Sequence, residues 1–345
     1  MRVERARIAK VKRAVVLLTV LCTSGAETTS LVRAADLPAD SSASLALAEH
    51  QFNAGNYSVA IATLRSVVSQ NPSSPEGYYW LGRSYYEMRD YDSAIMQAEK
   101  SVALDGKSSL YHQWLGRAYG GKADRDRSFF LAKKVKKELE EAVRLNPSNI
   151  VARRDLENYC FSAPWIVGGS KDEAREQVDA IAALDPVEGH IARGALYQDG
   201  MKKPELAEAE YRQVLSANPN RIEPYLEVAG FFQGQNKPSD LQAAIAAVPQ
   251  GSANDARLAF FRGIALVLSG ADLPQAEEYL KSYLASTPDR SDWPSHASAR
   301  EWLGRLYEAQ GKRAEAAEQY RASLQLDSGR NQARARLQKL EKAAP

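Results

Sequence analysis

The hexapeptide Trp80-Leu81-Gly82-Arg83-Ser84-Tyr85 returns thirty-four positions later as Trp114-Leu115-Gly116-Arg117-Ala118-Tyr119, and again as Trp302-Leu303-Gly304-Arg305-Leu306-Tyr307. A fixed period of this length constrains the fold more than any local propensity, because it means that one small unit is reused along the chain. A second signature follows each first one: a small residue, an apolar residue four later and a turn-former twelve later. It reads Ala60, Leu64, Pro72; Ala94, Ala98, Gly106; Val135, Leu139, Pro147; Ala174, Val178, Pro186; Ala207, Tyr211, Pro219; Ala276, Leu280, Pro288; and Ala316, Tyr320, Ser328. The four-residue step is one face of a helix, and the proline ends the helix by removing a donor and restricting the residue before it. The unit is a helical hairpin, and such hairpins bury their apolar faces by stacking on their neighbours.

This pattern resembles the tetratricopeptide repeat, a thirty-four-residue helix-turn-helix family. Ala48, Gly82, Gly116, Ala229, Gly263 and Gly304 match the family's small position eight, and Ala60, Ala94, Ala174, Ala207, Ala276 and Ala316 match position twenty. The resemblance implies an all-α fold, a right-handed superhelical α-solenoid of about eight repeats over residues 41–329. The sixth unit has a shortened second helix that ends at Pro249-Gln250-Gly251. Residues 330–345, with Leu337 and Leu340 among basic neighbours, read as a C-terminal capping helix whose outer face meets water.

Three units carry extra residues, with turn-former spacings of 41, 39 and 40 in place of 34. The additions lie near 120–127, where Gly120-Gly121 predicts a longer inter-helix turn, near 162–170, and near 289–296 with Trp293. Insertions in repeat arrays map to loops and often to a binding face. In the second, Trp165, Ile166 and Val167 are apolar where a solvent loop is normally polar. They either fold back as a satellite core or stand out as a docking loop.

The N-terminus has its own character. Arg2, Arg5, Arg7, Lys10, Lys12 and Arg13 precede an apolar run from Ala14 to Cys22, and Ser24-Gly25-Ala26 supplies small residues for cleavage. This order predicts a signal peptide over 1–26, followed by a leader over 27–40, and a periplasmic or secreted location. At about 1.5 Å per residue the run is roughly 14 Å long, too short to span a bilayer, so no transmembrane span is expected in the mature chain. Removing residues 1–26 takes away six basic residues and Glu4, so the net charge of +2 becomes −3. Nucleic acid is therefore not an expected partner. Cys160 is left as the only cysteine of the processed chain, and its apolar setting predicts burial.

The resemblance also implies where a ligand would lie, since in this family the first helix of each pair lines the concave groove. Trp80, Trp114 and Trp302 hold one groove position and Arg83, Arg117 and Arg305 another, with Tyr79 and Tyr86 beside the first pair. Aromatic and arginine side chains make binding hot spots, and paired guanidinium groups suit an acidic protein or peptide partner. The competing expectation is that the tryptophans fill the interior and the arginines pair with neighbours such as Glu87. The family's clamp for chaperone C-terminal peptides is not matched, because Leu45 and Glu49 stand at its lysine and asparagine positions. The basic run Lys133, Lys134, Lys136 and Lys137 is followed at once by Glu138, Glu140 and Glu141 and reads as a solvated, ion-paired helix. His50, His112, His190 and His296 are dispersed, and no nucleophile elbow occurs, so no catalytic residue, metal site or cofactor is expected. The sequence thus predicts a non-catalytic protein-interaction scaffold of the cell envelope, or else a structural subunit of an envelope export or assembly complex. It leaves the oligomeric state open.

Overall fold

The computed structural model describes residues 41–342, so the expected signal peptide and leader lie outside the described residues. Among those residues there are seventeen α-helices and no strand. The helices form eight consecutive hairpins and a final single helix: α1 (Ser41–Asn53) with α2 (Tyr57–Gln70), α3 (Pro75–Glu87) with α4 (Tyr91–Leu104), α5 (Ser109–Asp126) with α6 (Phe129–Leu145), and α7 (Ile150–Ser162) with α8 (Lys171–Leu184). The second half repeats the scheme with α9 (Pro186–Ala195) and α10 (Pro204–Ser216), α11 (Glu223–Gly234) and α12 (Pro238–Ala246), α13 (Arg257–Ser269) and α14 (Leu273–Ser286), and α15 (His296–Ala309) and α16 (Arg313–Leu326), closed by α17 (Asn331–Lys342).

The turn chemistry that separates the units is local. Ser74, Ser108, Asn149, Asp185 and Ser295 cap first helices by accepting a backbone N–H of the first turn. Pro72 and Pro147 follow α2 and α6 as expected, whereas Pro186 opens α9, where its missing N–H costs nothing. Within each hairpin the small position permits close approach. A Cβ on Gly263 would lie 2.7 Å from Leu280 Cγ, and one on Gly304 would lie 2.5 Å from Tyr320 Cε1. Unit four breaks this rule. Glu157 holds the small position of α7 and is buried, facing Arg154 and Asp199; desolvation pushes its carboxyl up to about 7, against the pull of Arg154.

One expectation about the additions needs correction. Residues 120–126 do not lengthen a turn; they extend α5 to eighteen residues, and α6 runs to seventeen, so only Arg127 and Ser128 connect them. Gly121 serves close approach here, because a Cβ on it would lie 2.5 Å from the Tyr91 ring. Lys122 and Arg125 also tie this extra turn to Asp92 on α4. Arg127 then ends α5 with φ of +50°.

The addition before unit eight is an irregular segment that reaches back to the start of the array. Pro288 packs on Gly55, the Tyr57 hydroxyl donates to the Asp289 carbonyl at 3.1 Å, and Glu87 accepts from Ser291 through both its backbone N–H (2.9 Å) and its hydroxyl (2.8 Å). The Arg290 guanidinium lies 5.7 Å from the Phe52 ring centroid. A clasp between unit eight and units one and two results, so the solenoid turns back on itself.

Three outcomes are expected. Gly304→Ala should lose about 1–3 kcal/mol by forcing the Tyr320 ring aside, whereas Gly230→Ala, at an exposed helical glycine with nothing within 4 Å, should gain roughly 0.5–1 kcal/mol; urea unfolding of both measures the difference. The folded pKa of Glu157 lies above that of an unfolded glutamate, so the stabilisation its protonated form allows is complete in acid and is lost as pH rises through about 7. Glu157→Gln should therefore raise stability at pH 8 by on the order of 2–3 kcal/mol and leave pH 5 nearly unchanged; equal effects at the two pH values would exclude this account. Finally, Glu87→Ala combined with Arg290→Ala should speed proteolysis within 287–295 while helical circular dichroism is retained.

Candidate protein-interaction groove

The inner wall of units one to three is an aromatic cluster built around one cation. Arg83 on α3 sits over four rings: Trp114 at 4.3 Å, Phe52 at 4.6 Å, Trp80 at 4.7 Å and Tyr79 at 5.6 Å from their centroids. Its Nη1 donates to the Tyr79 hydroxyl at 3.2 Å, and its Nε is buried without a hydrogen-bond partner. Contacts of this kind contribute roughly 0.5–2 kcal/mol each when water is excluded. The expected pairing with Glu87 is not the arrangement found, since that carboxylate accepts from Ser291 of the clasp.

Arg117 is placed next to Arg83, and the two guanidinium groups share the Trp114 ring, Arg117 lying 4.9 Å from its centroid. Their chemistry differs, however. Arg117 makes a two-pronged ion pair with Asp155 of α7 at 2.7 and 3.0 Å, and Gln113 donates to the same carboxylate at 2.7 Å. Burial works against the Arg117 charge, but Asp155 outweighs it and holds the guanidinium pKa above its ordinary value. Asp155 stands where units two and three carry tryptophan, so the chain itself supplies the carboxylate that a ligand would otherwise bring.

The tryptophans are mainly interior. Trp80 and Tyr79 belong to the N-terminal core and Trp302 to the larger C-terminal one, while Trp114 and Tyr86 are half-buried and meet edge to face at 5.9 Å. Arg305 stacks on Trp302 at 3.7 Å, and both line a cavity of about 600 Å³ with Gln233, Asn236 and Arg330. A larger cavity of about 1470 Å³ lies along units two to four and is lined by Tyr86, Arg89, Arg117, Phe129, Asp155 and Tyr159 among others. The turn at Asp327–Gly329 lines both cavities, so the third copy of the hexapeptide, through Trp302 and Arg305, abuts the groove system that the second copy borders through Gly116 and Arg117.

The 162–170 addition divides its three apolar residues. Val167 is buried at 3% exposure, but Trp165 is 84% exposed and Ile166 is 58% exposed. The loop is fastened from below: the Tyr159 hydroxyl shares its one proton between the carbonyls of Ala132 (2.6 Å) and Val167 (2.8 Å), and Lys136 donates to the Gly168 carbonyl at 2.9 Å. Lys136 is also paired with Glu173. Cys160 beneath the loop is buried, and burial with the adjacent Glu173 pushes its thiol up to about 12. His112 and His190 are held by Glu138 and Glu210, each at 2.7 Å, and His296 contacts Thr287.

Sequence reasoning missed Phe52, Asp155 and Arg89. Asp155 could have been found by carrying the repeat register into unit four, where an acid replaces tryptophan. Arg89 lies just beyond α3 with φ of +59°, outside the periodic helical positions.

No curated protein matches the chain. Among solved structures, a thermophilic TPR protein of Thermus thermophilus is similar at 21% identity, covering 56% of this chain and 99% of that one with a TM-score of 0.46. A tetratricopeptide repeat protein from Parabacteroides merdae is similar at 12% identity, covering 87% of this chain and 98% of that one with a TM-score of 0.43. The tetratricopeptide repeat profile matches residues 32–109 and 268–333, which hold the first and third copies of the hexapeptide. With eight stacked hairpins whose close contacts fall at the repeated small positions, the chain carries repeats of the tetratricopeptide family, matched by that family's profile in both of these segments.

Proposed function

We propose that this protein is a non-catalytic scaffold that holds a segment of a partner protein in the groove of units two to four. The observation that carries this reading is the cavity of about 1470 Å³, larger than a small-molecule site of about 300–1,000 Å³ and lined by Tyr86, Arg89, Arg117 and Tyr159. Aromatic faces and guanidinium groups contribute binding area and directed hydrogen bonds to an extended chain. Within the lining, Arg117 is occupied by Asp155, so recognition of an acidic side chain falls to cations such as Arg89 that have no carboxylate partner among the described residues. An envelope location, with export directed by residues 1–26, rests on the basic and apolar order of that segment.

The test is a pull-down from the native envelope, with binding of the recovered partner then measured against variants. Arg89→Glu should weaken that partner about tenfold or more, as expected for the loss of a charge-assisted contact of roughly 1.5–3 kcal/mol, with the melting temperature unchanged. Affinity that is indifferent to Arg89→Glu and to Tyr86→Ala would remove the partner from this groove.

A further inference from the structure

Two of the three additions meet at one edge of the array. Phe129 and Phe130 begin α6 at 64% and 69% exposure, and Trp165 and Ile166 project from the neighbouring loop at 84% and 58%. The two elements are joined underneath, because the Tyr159 hydroxyl bridges the Ala132 and Val167 carbonyls and Lys136 reaches the Gly168 carbonyl. Stability does not explain these four side chains. Val167 already fills the space below the loop, and burial of Trp165 or Ile166 would favour the fold more than their exposure does.

The charges around this lip are unequal. On α6, Phe129, Lys133 and Lys137 follow one another at four-residue steps and share an exposed face. Lys133, Lys137, Arg127 and Lys171 have no ion-pair partner among the described residues, and Lys134 lies over the rings of Tyr119 and Phe130. The carboxylates of the same segments are mostly engaged already. Asp126 is with Arg125, Glu138 with His112, Glu141 with Arg144 and Asp172 with Arg175, Glu140 and Glu173 share Lys136, and Asp124 and, on α8, Glu176 and Asp179 are left. The cations are nonetheless gathered beside the phenylalanines, since the stretch 127–137 holds Arg127, Lys133, Lys134, Lys136 and Lys137 and no acidic residue, so the lip presents protruding aromatic and aliphatic side chains next to a locally basic strip.

We infer that this lip, Phe129, Phe130, Trp165 and Ile166 with its surrounding lysines, docks the protein on an anionic lipid surface. Side chains that project by more than half of their area fit a fluid interface, which accepts them without a matching pocket. The lysines meet lipid phosphates, and the amphipathic aromatic ring of Trp165 suits the headgroup level. No helix among the described residues is long and apolar enough to cross a membrane, so the contact is peripheral. The pinned loop presents Trp165 in a fixed position, which lowers the ordering cost of docking. This inference rests mainly on residues outside the groove, since Phe130, Trp165, Ile166, Lys133 and Lys137 do not line that cavity, whereas Phe129 and Arg127 stand at its border.

The experiment uses the full chain with vesicles of phosphatidylcholine, with and without phosphatidylglycerol, some carrying brominated acyl chains. Because the basic residues Arg2 to Arg13 could hold an anionic surface by themselves, the readout is placed on Trp165, as the fluorescence difference between the wild type and Trp165→Phe. On phosphatidylglycerol vesicles that component should shift to the blue, be quenched by bromine and be released by high salt. Phe129→Ser with Phe130→Ser should reduce the quenching about tenfold while the melting curve is kept. A Trp165 component that stays unquenched while the chain sediments with vesicles would overturn the inference. So would equal quenching on phosphatidylcholine alone, or protection of Trp165 only by an acidic protein partner.

Discussion

Everything in this array depends on how closely two helices can cross. Glycine or alanine at one position of the first helix lets the backbone of its partner approach within the width of a methyl group, and the rings and branched side chains beside that point then interlock. Because the crossing is set by a missing side chain, the hairpin geometry repeats even where the surrounding residues differ. Unit four shows the cost of departing from it. Burial of Glu157 at that position pushes its carboxyl up to about 7, so the packing around it favours the uncharged form.

The inner wall follows from the same repetition. Stacking units two and three in register carries Arg83 to the Trp114 ring of the next unit, while Arg117 lies over the same ring from within its own helix, so both guanidinium groups share Trp114. Two like charges so placed need different compensation. Arg83 takes it from four rings and a tyrosine hydroxyl, and Arg117 from a half-buried carboxylate one unit further on. Paired guanidinium groups in the sequence thus become, in the fold, one cation held by aromatic faces and one neutralised ion pair.

The hairpins, their number and the small positions were legible in the sequence because each is specified by residues within one period. Cys160 was legible as buried for the same reason. What was not legible depends on residues far apart. Gly120-Gly121 reads locally as a turn, and only the Tyr91 ring from the preceding hairpin makes it a tight helical contact. The fate of Trp165, Ile166 and Val167 was open because their burial is decided by Tyr159 and Lys136, which the loop's own composition does not reveal. Arg117 looked available for a ligand because its partner, Asp155, lies thirty-eight residues away.

The clasp changes the statistics of the whole array. An open solenoid behaves as a one-dimensional chain in which each unit feels its neighbours and the end units fray first. Contacts between Tyr57 and Asp289, or Glu87 and Ser291, span more than two hundred residues and make the two ends neighbours. Loss of the first hairpin then exposes part of the eighth, and fraying becomes a concerted event. Closing so long a loop costs configurational entropy that grows only slowly with its length, so the clasp can join last, after the hairpins have formed by local contacts. In that final step a linear assembly becomes a ring, whose ends no longer fluctuate independently.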